Sequence, residues 1–249
     1  QTVDGTSYYF LSNGALAEGW VTENGCTYYY VNNQKVTTAT TIGGSTYYFK
    51  SDGTLPSGWQ TIDEEKYYYN QYGTYVTGWQ TIGGNRYYFN GNGTMAKNTT
   101  VELYTLNANG VASKSPASLE NLNLYVTELL NTYGWSDVGA YNAVRNTLSY
   151  KLMDQVGTIQ DRAVYAINNR RGACYHFASL GYVLLSAQGY NMTYINGYGR
   201  RGTAHAWLGA TIDGVMYYYD FIYSAQRLTL QEILDMGYTW PDMPTAEGA

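Results

Sequence analysis

The feature that most constrains the fold of this chain is a short aromatic motif that recurs through its first half. Runs of three aromatic residues begin at positions 8, 28, 47, 67 and 87, with spacings of 20, 19, 20 and 20 residues. A weaker copy follows at Tyr104-Thr105-Leu106. A fixed period of this length is typical of a repeat array in which each small unit stacks on its neighbours. The sequence therefore predicts an all-β solenoid of five to six units, each of about 20 residues, over residues 1–112.

Each unit has the pattern of a β-hairpin. In GWQTIGGNRYYFN (78–90), Gly83-Gly84 supplies the positive φ angles that a two-residue turn needs. Counted outward from such turns, a tryptophan faces the middle residue of the aromatic run in three units: Trp20 and Tyr29, Trp59 and Tyr68, Trp79 and Tyr88. These rings either only pack the hairpins together or form open boxes for a quaternary ammonium group or a sugar ring. Because a thin array cannot bury so many rings, we expect some of the boxes to bind a ligand.

The segment TGWQTIGGNRYYFNGNGTMA (77–96) resembles the cell-wall-binding repeats of Gram-positive surface proteins, which include choline-binding modules and glucan-binding repeats. The resemblance spans about residues 1–112 and rests on the spacing, the Gly-Trp pair, the aromatic run and the Asn/Asp-Gly turns. It implies an anchor that holds a partner domain on wall choline or polysaccharide. One unit carries Ala39 where others carry tryptophan, so its box is incomplete.

Composition restricts the partners and the location of the chain. A net charge of −5 and a pI near 5 argue against a nucleic-acid-binding protein, which needs a basic surface. No run of 18 apolar residues occurs, so no transmembrane segment is expected. Few charged residues (13%) beside 30 tyrosines and 28 glycines are typical of secreted proteins. We therefore expect a secreted, wall-associated protein whose signal peptide has been removed or is not part of this sequence.

The aromatic repeat pattern ends after about residue 112, and the sequence that follows has a different residue pattern. Residues 113–118 are small and include a proline, which predicts a linker, and residues 119–249 form the second predicted domain. Its predicted elements are helices at 118–134 (with Ser118 as N-cap), 137–153, 158–169 and 172–189, strands at 191–198, 203–212 and 215–223, and a short helix at 228–236. Helices followed by an antiparallel sheet predict an α+β domain.

Cys174 lies in the first turn of the fourth predicted helix. The free amide groups and the dipole of a helix start favour a thiolate, and Arg170 and Arg171 add positive charge nearby. A cysteine in an apolar helix is also commonly a small buried residue, so this segment alone leaves both roles open. His176 points about 200° away around the helix and cannot face the sulfur. No second pair of ligands accompanies these two residues, so neither a metal site nor a cofactor is expected.

The second histidine lies in a predicted hairpin, TAHAWLGATIDGVMYYYDFIY (203–223), with its turn at Asp213-Gly214. Counted outward, Trp207 faces Asp220 and His205 faces Ile222 two residues further on, all on one face. His205 and Asp220 are therefore diagonal neighbours, with α-carbons about 7 Å apart. The carboxylate would fix the tautomer of His205 and stabilise its imidazolium form. A cysteine at a helix start with histidine and aspartate on neighbouring strands is the constellation of thiol acyl transfer.

The motifs GACYHFA, TAHAW and YYYDFIY, with spacings of 31 and 15 residues between Cys, His and Asp, resemble the transglutaminase-like family of the papain-like superfamily. The resemblance covers about residues 160–223. It implies that Cys174 is the nucleophile, His205 the base and Asp220 the orienting acid, and that the cysteine helix packs on the sheet. The backbone N–H of Cys174 is a candidate oxyanion donor, and the candidate side-chain donors are Trp135, Gln155, Gln160 and Asn168.

These observations predict a multidomain secreted thiol enzyme, a cysteine peptidase or amidase that acts on peptide amide bonds and is anchored to wall choline or glycan. One alternative is a protein-crosslinking transglutaminase that uses the same triad with a lysine amine as second nucleophile. Another is a non-catalytic adhesin or wall-binding protein. The expected partners are wall choline or polysaccharide and a peptide or protein substrate, with no nucleic acid.

Overall fold

The computed structural model describes residues 2–3, 6–24 and 26–243, and the chain divides into two compact units, one ending at Lys114 and one beginning at Ser115. The first unit is built of small β-sheets, and the second combines helices with a sheet. The predicted units 1–112 and 119–249 include residues 1, 4, 5, 25 and 244–249, which lie outside this description.

The described part of the first unit contains six small antiparallel sheets. Their strands are β1 Thr2–Val3, β2 Thr6–Ser7, β3 Gly19–Glu23, β4 Cys26–Val31, β5 Gln34–Lys35, β6 Ala39–Ile42, β7 Ser45–Tyr48, β8 Gly58–Ile62, β9 Glu65–Tyr69, β10 Gly78–Ile82, β11 Asn85–Phe89, β12 Thr99–Val101, β13 Tyr104–Leu106 and β14 Ala112–Lys114. The last aromatic residue of several runs is buried, including Tyr30, Tyr69 and Phe89, and these rings form the interior of the unit.

The register of the hairpins follows their turns. The three predicted tryptophan–tyrosine pairs face each other across β3–β4, β8–β9 and β10–β11, which confirms the predicted pairing. The turn of β8–β9 lacks glycine, yet Asp63 and Glu64 adopt positive φ angles of 50° and 66°. A two-residue turn of this type therefore fixes the register even without glycine.

The end of the first unit differs from the predicted boundary. Strand β14 pairs with β13, so the sixth sheet extends two residues into the predicted linker 113–118. A turn stabilised by the side chain of Asn107, which accepts from the amide groups of Asn109 and Val111, brings this strand back. The composition of this segment does not predict a third strand, because the strand forms through its pairing with β13.

The second unit carries five helices and six strands among its described residues. They are α1 Leu122–Tyr133, α2 Asp137–Thr147, β15 Ser149–Tyr150, α3 Ile159–Asn169, β16 Arg171–Gly172, α4 Cys174–Ser186, β17 Asn191–Tyr198, β18 Ala204–Ile212, β19 Val215–Asp220, β20 Ala225–Leu228 and α5 Leu230–Asp235. Strands β17 to β20 form an antiparallel sheet in chain order, and β15 pairs with β16 in parallel.

Helix α4 packs on this sheet and forms the main core with it. Apolar residues of α4 such as Leu180 and Leu184 are fully buried in one cluster with Leu208 of β18. A methyl group at Gly181 would lie 2.3 Å from the ring of Phe221, so a residue without a side chain is needed at this contact. The start of α4, where Cys174 lies, is thereby held against the sheet. The opposite face of the sheet, including Trp207, packs in a second cluster with Ile233 of α5.

Four predicted boundaries in this unit are wrong. Helix α1 begins at Leu122, and Ser118 is not its N-cap but exchanges hydrogen bonds with Asn121 before the helix. Helix α2 ends at Thr147 because the chain then pairs with β16, and α4 ends at Ser186. Strand β19 ends at Asp220, where the chain turns and Ile222 leaves the sheet. Strand β20 was not predicted.

Candidate functional site

The start of α4 presents Cys174 next to free backbone amides. The N-cap residue is Ala173, whose side chain cannot cap the helix, and its own N–H donates to Nδ1 of His176 over 3.3 Å. The amides of Cys174 and Tyr175 belong to the first turn, which has no intrahelical acceptors for them. The thiol, which is partly exposed, therefore lies beside N–H groups that can stabilise an anion.

His205 connects Cys174 with Asp220. Its Nε2 lies 2.7 Å from Oδ2 of Asp220, and Cys174 lies close enough to the ring to contribute to the raised pKa of His205. Because Nε2 is engaged by the carboxylate, Nδ1 is the ring nitrogen left for the sulfur. The three predicted residues thus lie in one series, with the imidazole bonded to the carboxylate and close to the sulfur, although Ile222 no longer faces His205 as the simple register count predicted.

Asp220 is buried and accepts hydrogen bonds from four donors. Besides His205, they are the hydroxyl of Tyr238, the amide of Ile222 at 2.8 Å and the amide of Tyr223 at 3.4 Å. Its side chain is only 1% exposed, and that of His205 is 7% exposed. A carboxylate with so many donors is stabilised in its charged form despite burial.

The electrostatics of the pair favour a charged imidazole. Burial alone would lower the pKa of His205, but the hydrogen bond with Asp220 and the electrostatic interactions with Asp220 and Cys174 raise the pKa of His205 to about 9. Burial alone would raise the pKa of Asp220, but its bonds with His205, Tyr238 and Ile222 lower that pKa. At neutral pH the site therefore holds an imidazolium beside a carboxylate.

Aromatic rings surround the imidazole and limit access of water. The ring of Trp207 is stacked at a centroid distance of 6.0 Å and is fully buried, and that of Tyr223 lies at 5.4 Å. Tyr238 is also fully buried, and its pKa is raised by burial and by the bond to Asp220, so its hydroxyl remains a donor. Such an enclosure strengthens the hydrogen bonds within the site.

Two further residues support the site from neighbouring elements. Nη1 of Arg145 donates to the carbonyl oxygens of Phe221 and Ile222, at 2.8 Å and 3.2 Å, which holds the turn after Asp220. Burial raises the pKa of Tyr150 of β15, and Cys174 lies close enough to add to this shift. Neither residue, nor Tyr238, was singled out from the sequence, because nothing distinguishes them there from many similar residues.

His176 lies apart from this series, as helical geometry predicted. Its ring is buried between those of Tyr165 and Tyr175, each at 5.0 Å. Burial, together with the positive charge of Arg162, lowers the pKa of His176. The neutral imidazole is thus an acceptor for the Ala173 amide and a structural residue of the helix start.

The predicted side-chain donors for an oxyanion have diverse settings. The side-chain amide of Asn168 forms two hydrogen bonds with the backbone of Ala117, so its donor is already used away from the thiol. Nε1 of Trp135 donates to Asn131 at 2.8 Å, and the side chain is 55% exposed. Gln155 and Gln160 are exposed. The backbone amides of the α4 start, which lie beside Cys174, remain the candidate oxyanion donors.

Within its described residues, the first unit contains three aromatic boxes of nearly equal geometry. In each, the predicted tryptophan–tyrosine pair is completed by the first tyrosine of the following aromatic run, a ring that the hairpin count did not include. The Trp20 box has Tyr29 at 4.9 Å and Tyr47 at 5.0 Å, the Trp59 box has Tyr68 at 5.3 Å and Tyr87 at 4.9 Å, and the Trp79 box has Tyr88 at 5.2 Å and Tyr104 at 5.0 Å. All these ring pairs meet edge to face.

Neither a metal-ion site nor a membrane-spanning helix is found in the described part of the chain. No group of three or more His, Cys, Asp and Glu side chains is placed to hold a metal ion within residues 2–3, 6–24 and 26–243. Across the same part of the chain, each helix is too short or too polar to cross a membrane.

Comparisons with known families match both units. Residues 76–109 match the choline-binding repeat, and residues 1–16, 18–34 and 41–55 match the putative cell wall binding repeat. Residues 137–220 match the transglutaminase-like superfamily. The two resemblances drawn from the sequence are therefore confirmed. No curated protein matches the chain.

Solved structures similar to part of the chain include proteins of Streptococcus pneumoniae. Choline binding protein F is 37% identical, over 46% of this chain and 39% of its own, with a TM-score of 0.43. CbpJ is 36% identical, over 45% of this chain and 40% of its own, with a TM-score of 0.42. The modular autolysin LytC is 28% identical, over 43% of this chain and 25% of its own, with a TM-score of 0.37. The match thus spans less than half the length of each of these proteins.

Proposed function

Because the chain joins choline-binding cell-wall repeats to a transglutaminase-like domain, we propose that it is a secreted, wall-associated thiol enzyme that hydrolyses peptide amide bonds. The repeats hold the enzyme on wall choline through their aromatic boxes. The second unit supplies the chemistry, and its substrate is a wall peptide or a surface protein.

The observation that carries this proposal is the hydrogen bond between His205 and a buried Asp220, with Cys174 close to the same imidazole at the start of α4. A nucleophile, a base and an orienting acid in that order are the parts that acyl transfer needs. The carboxylate is buried with four donors and the imidazole lies under Trp207, so both are held in fixed orientations. A protein that only binds the wall needs no such arrangement beside a partly exposed thiol.

In the acylation step, the sulfur of Cys174 attacks the carbonyl carbon of the amide. Negative charge moves to the carbonyl oxygen, where the amides of the α4 start can donate to it. The imidazolium of His205 gives its proton from Nδ1 to the leaving nitrogen as the C–N bond breaks. The products of this step are a free amine and a thioester on Cys174.

In the deacylation step, water attacks the thioester carbon. Neutral His205 takes a proton from the water, the C–S bond breaks, and a carboxylic acid leaves while the thiolate–imidazolium pair is restored. Asp220 keeps Nε2 of the ring engaged throughout, so Nδ1 faces the reacting atoms in both steps. A primary amine in place of water would form a new amide, which is the transglutaminase reaction.

The test is to incubate the full chain with a glutamine-containing peptide and a fluorescent primary amine. We expect release of ammonia or cleavage of the peptide without incorporation of the amine. The Cys174→Ala variant should be inactive, whereas Cys26→Ala, which removes the other free thiol of the chain, should retain full activity. Amine incorporation would replace hydrolysis by crosslinking as the reaction, and a complete lack of reaction would favour a non-catalytic wall-binding protein.

A further inference from the structure

The three aromatic boxes differ in what lies over their tryptophan. The guanidinium carbon of Arg86 lies 4.3 Å from the ring centroid of Trp79 and 4.2 Å from that of Tyr104. A cation at this distance from two aromatic faces makes the contact that a quaternary ammonium ligand would make. The Trp79 box therefore already contains a cation, and that cation belongs to the chain itself.

The other two boxes lack this feature. On the strand that carries the middle tyrosine, the position equivalent to Arg86 is Thr27 in the Trp20 box and Lys66 in the Trp59 box. Among the residues that the structure describes, no cation lies over Trp20 or Trp59, and Lys66 is exposed to solvent whereas Arg86 is partly buried.

The exposure of the tryptophans agrees with this difference. Trp20 is 44% exposed and Trp59 is 40% exposed, whereas Trp79 is only partly accessible. Since the ring distances are nearly the same in all three boxes, the lower exposure of Trp79 comes from the groups that cover it.

A second contact distinguishes the Trp79 box from the other two in the part of the chain that the structure describes. Nε1 of Trp79 donates to Oε2 of Glu102 over 3.2 Å, and Glu102 lies in the turn of the following hairpin. In the hairpins that follow Trp20 and Trp59, the corresponding turns are Gly43-Gly44 and Gly83-Gly84, which have no side chain to offer. The last hairpin thus differs from the two earlier ones in its turn, which places a carboxylate against the tryptophan of the preceding box.

We infer that Arg86 occupies the third aromatic box in place of an external cation, so the array has two open quaternary ammonium sites, at Trp20 and Trp59, and one closed site at Trp79. This inference rests on the proposed choline anchor and defines its valency. A ligand cation would have to displace the guanidinium, which stays tethered at the site, and would meet its positive charge. The number of bound cations is therefore set by the residue at position 86.

The experiment is equilibrium dialysis of the full chain against radiolabelled choline. The wild-type chain should bind two choline molecules, and Arg86→Thr, which installs the residue found at position 27, should bind three. The matched control Lys66→Thr removes a cation from the equivalent position of an open box and should leave two sites. Trp59→Ala should leave one site, while Trp79→Ala should still leave two.

Three choline molecules on the wild-type chain would overturn the inference. So would a loss of one site in Trp79→Ala, or two sites in an Arg86→Thr chain whose circular dichroism matches wild type. The Trp79→Ala result decides the question even if Arg86→Thr does not fold. Lack of choline binding by every form, including wild type, would overturn the proposed anchor and this inference together, and is distinct from each of the other results.

Discussion

Replacing Asp220 by asparagine is expected to lower kcat/KM for ammonia release from a glutamine peptide by about 10³ to 10⁴ fold. The carboxylate accepts from Nε2 of His205 over 2.7 Å and contributes to the pKa of that imidazole, which is raised to about 9. A neutral amide can neither stabilise the imidazolium to the same extent nor enforce the tautomer. Steady-state kinetics on purified wild type and variant measure the effect.

The same substitution should move the alkaline limb of the pH profile. His205 must be protonated to act as the acid in acylation, so wild-type activity falls as the pH rises through about 9. Without the charge of Asp220 the pKa of the imidazole is lower, and the fall in activity should begin at lower pH.

A matched control is Asp137→Asn, since Asp137 is also a buried carboxylate, bonded to Tyr219 and Arg227. This control substitution should lower the free energy of unfolding but leave unchanged the pH at which activity begins to fall. Equal pH profiles for the two variants would contradict the assigned role of Asp220.

The double substitution Trp20→Ala with Trp59→Ala should abolish retention of the chain on immobilised choline. Each cation–π site contributes about 0.5 to 2 kcal/mol, and simultaneous binding at two sites multiplies their effects. We therefore expect apparent affinity for the resin to fall by about 10² fold or more, while each single substitution has a smaller effect. Elution by free choline measures it.

Trp135→Ala provides the control for this experiment. Trp135 is 55% exposed, lies in the second unit and is not part of a box, so its removal should leave retention unchanged. Unaltered retention of the double variant would show that the boxes do not carry the binding. Retention on glucan or wall glycan in place of choline would assign the boxes to sugars.

The hairpin registers and the His205–Asp220 relation could be predicted because both depend on local turns. A two-residue turn fixes which residues face each other, and the alternation of strands then places side chains on one face. Trp79 and Tyr88 face each other for this reason. The strand that carries Asp220 ends earlier than predicted. Asp220 still follows directly on the last residue pair of β18 and β19, so its diagonal contact with His205 is preserved.

The parts that could not be predicted depend on contacts distant in sequence. Tyr238 donates to Asp220 from 18 residues away, and it is one of 30 tyrosines with no local mark. Arg145 holds the turn after Asp220 from α2, 76 residues away. The early end of α2 has the same origin, since a parallel pairing of β15 with β16 overrides a continuing helical pattern. Such long-range contacts leave no periodic signal in the sequence.

The third ring of each box was missed for a related reason. Counting within one hairpin places Trp59 opposite Tyr68, but the ring that completes the box, Tyr87, belongs to the next hairpin. The repeat spacing predicts that neighbouring hairpins are in contact, but it does not determine which residues of the next aromatic run contact the tryptophan. The closing of one box by Arg86 also becomes apparent only when both hairpins are placed.

The proposed function depends most on Cys174 being an activated nucleophile beside His205, and the rate of alkylation by iodoacetamide at each pH tests this directly. Mass spectrometry of the intact chain, followed by peptide mapping, separates the two free thiols, and the exposed Cys26 is the internal reference. An ordinary thiol reacts appreciably only near and above about pH 8. We predict that Cys174 is alkylated at about pH 6 at least tenfold faster than Cys26. A Cys174 that reacts only above about pH 8, in parallel with Cys26, would contradict the catalytic role proposed for this site.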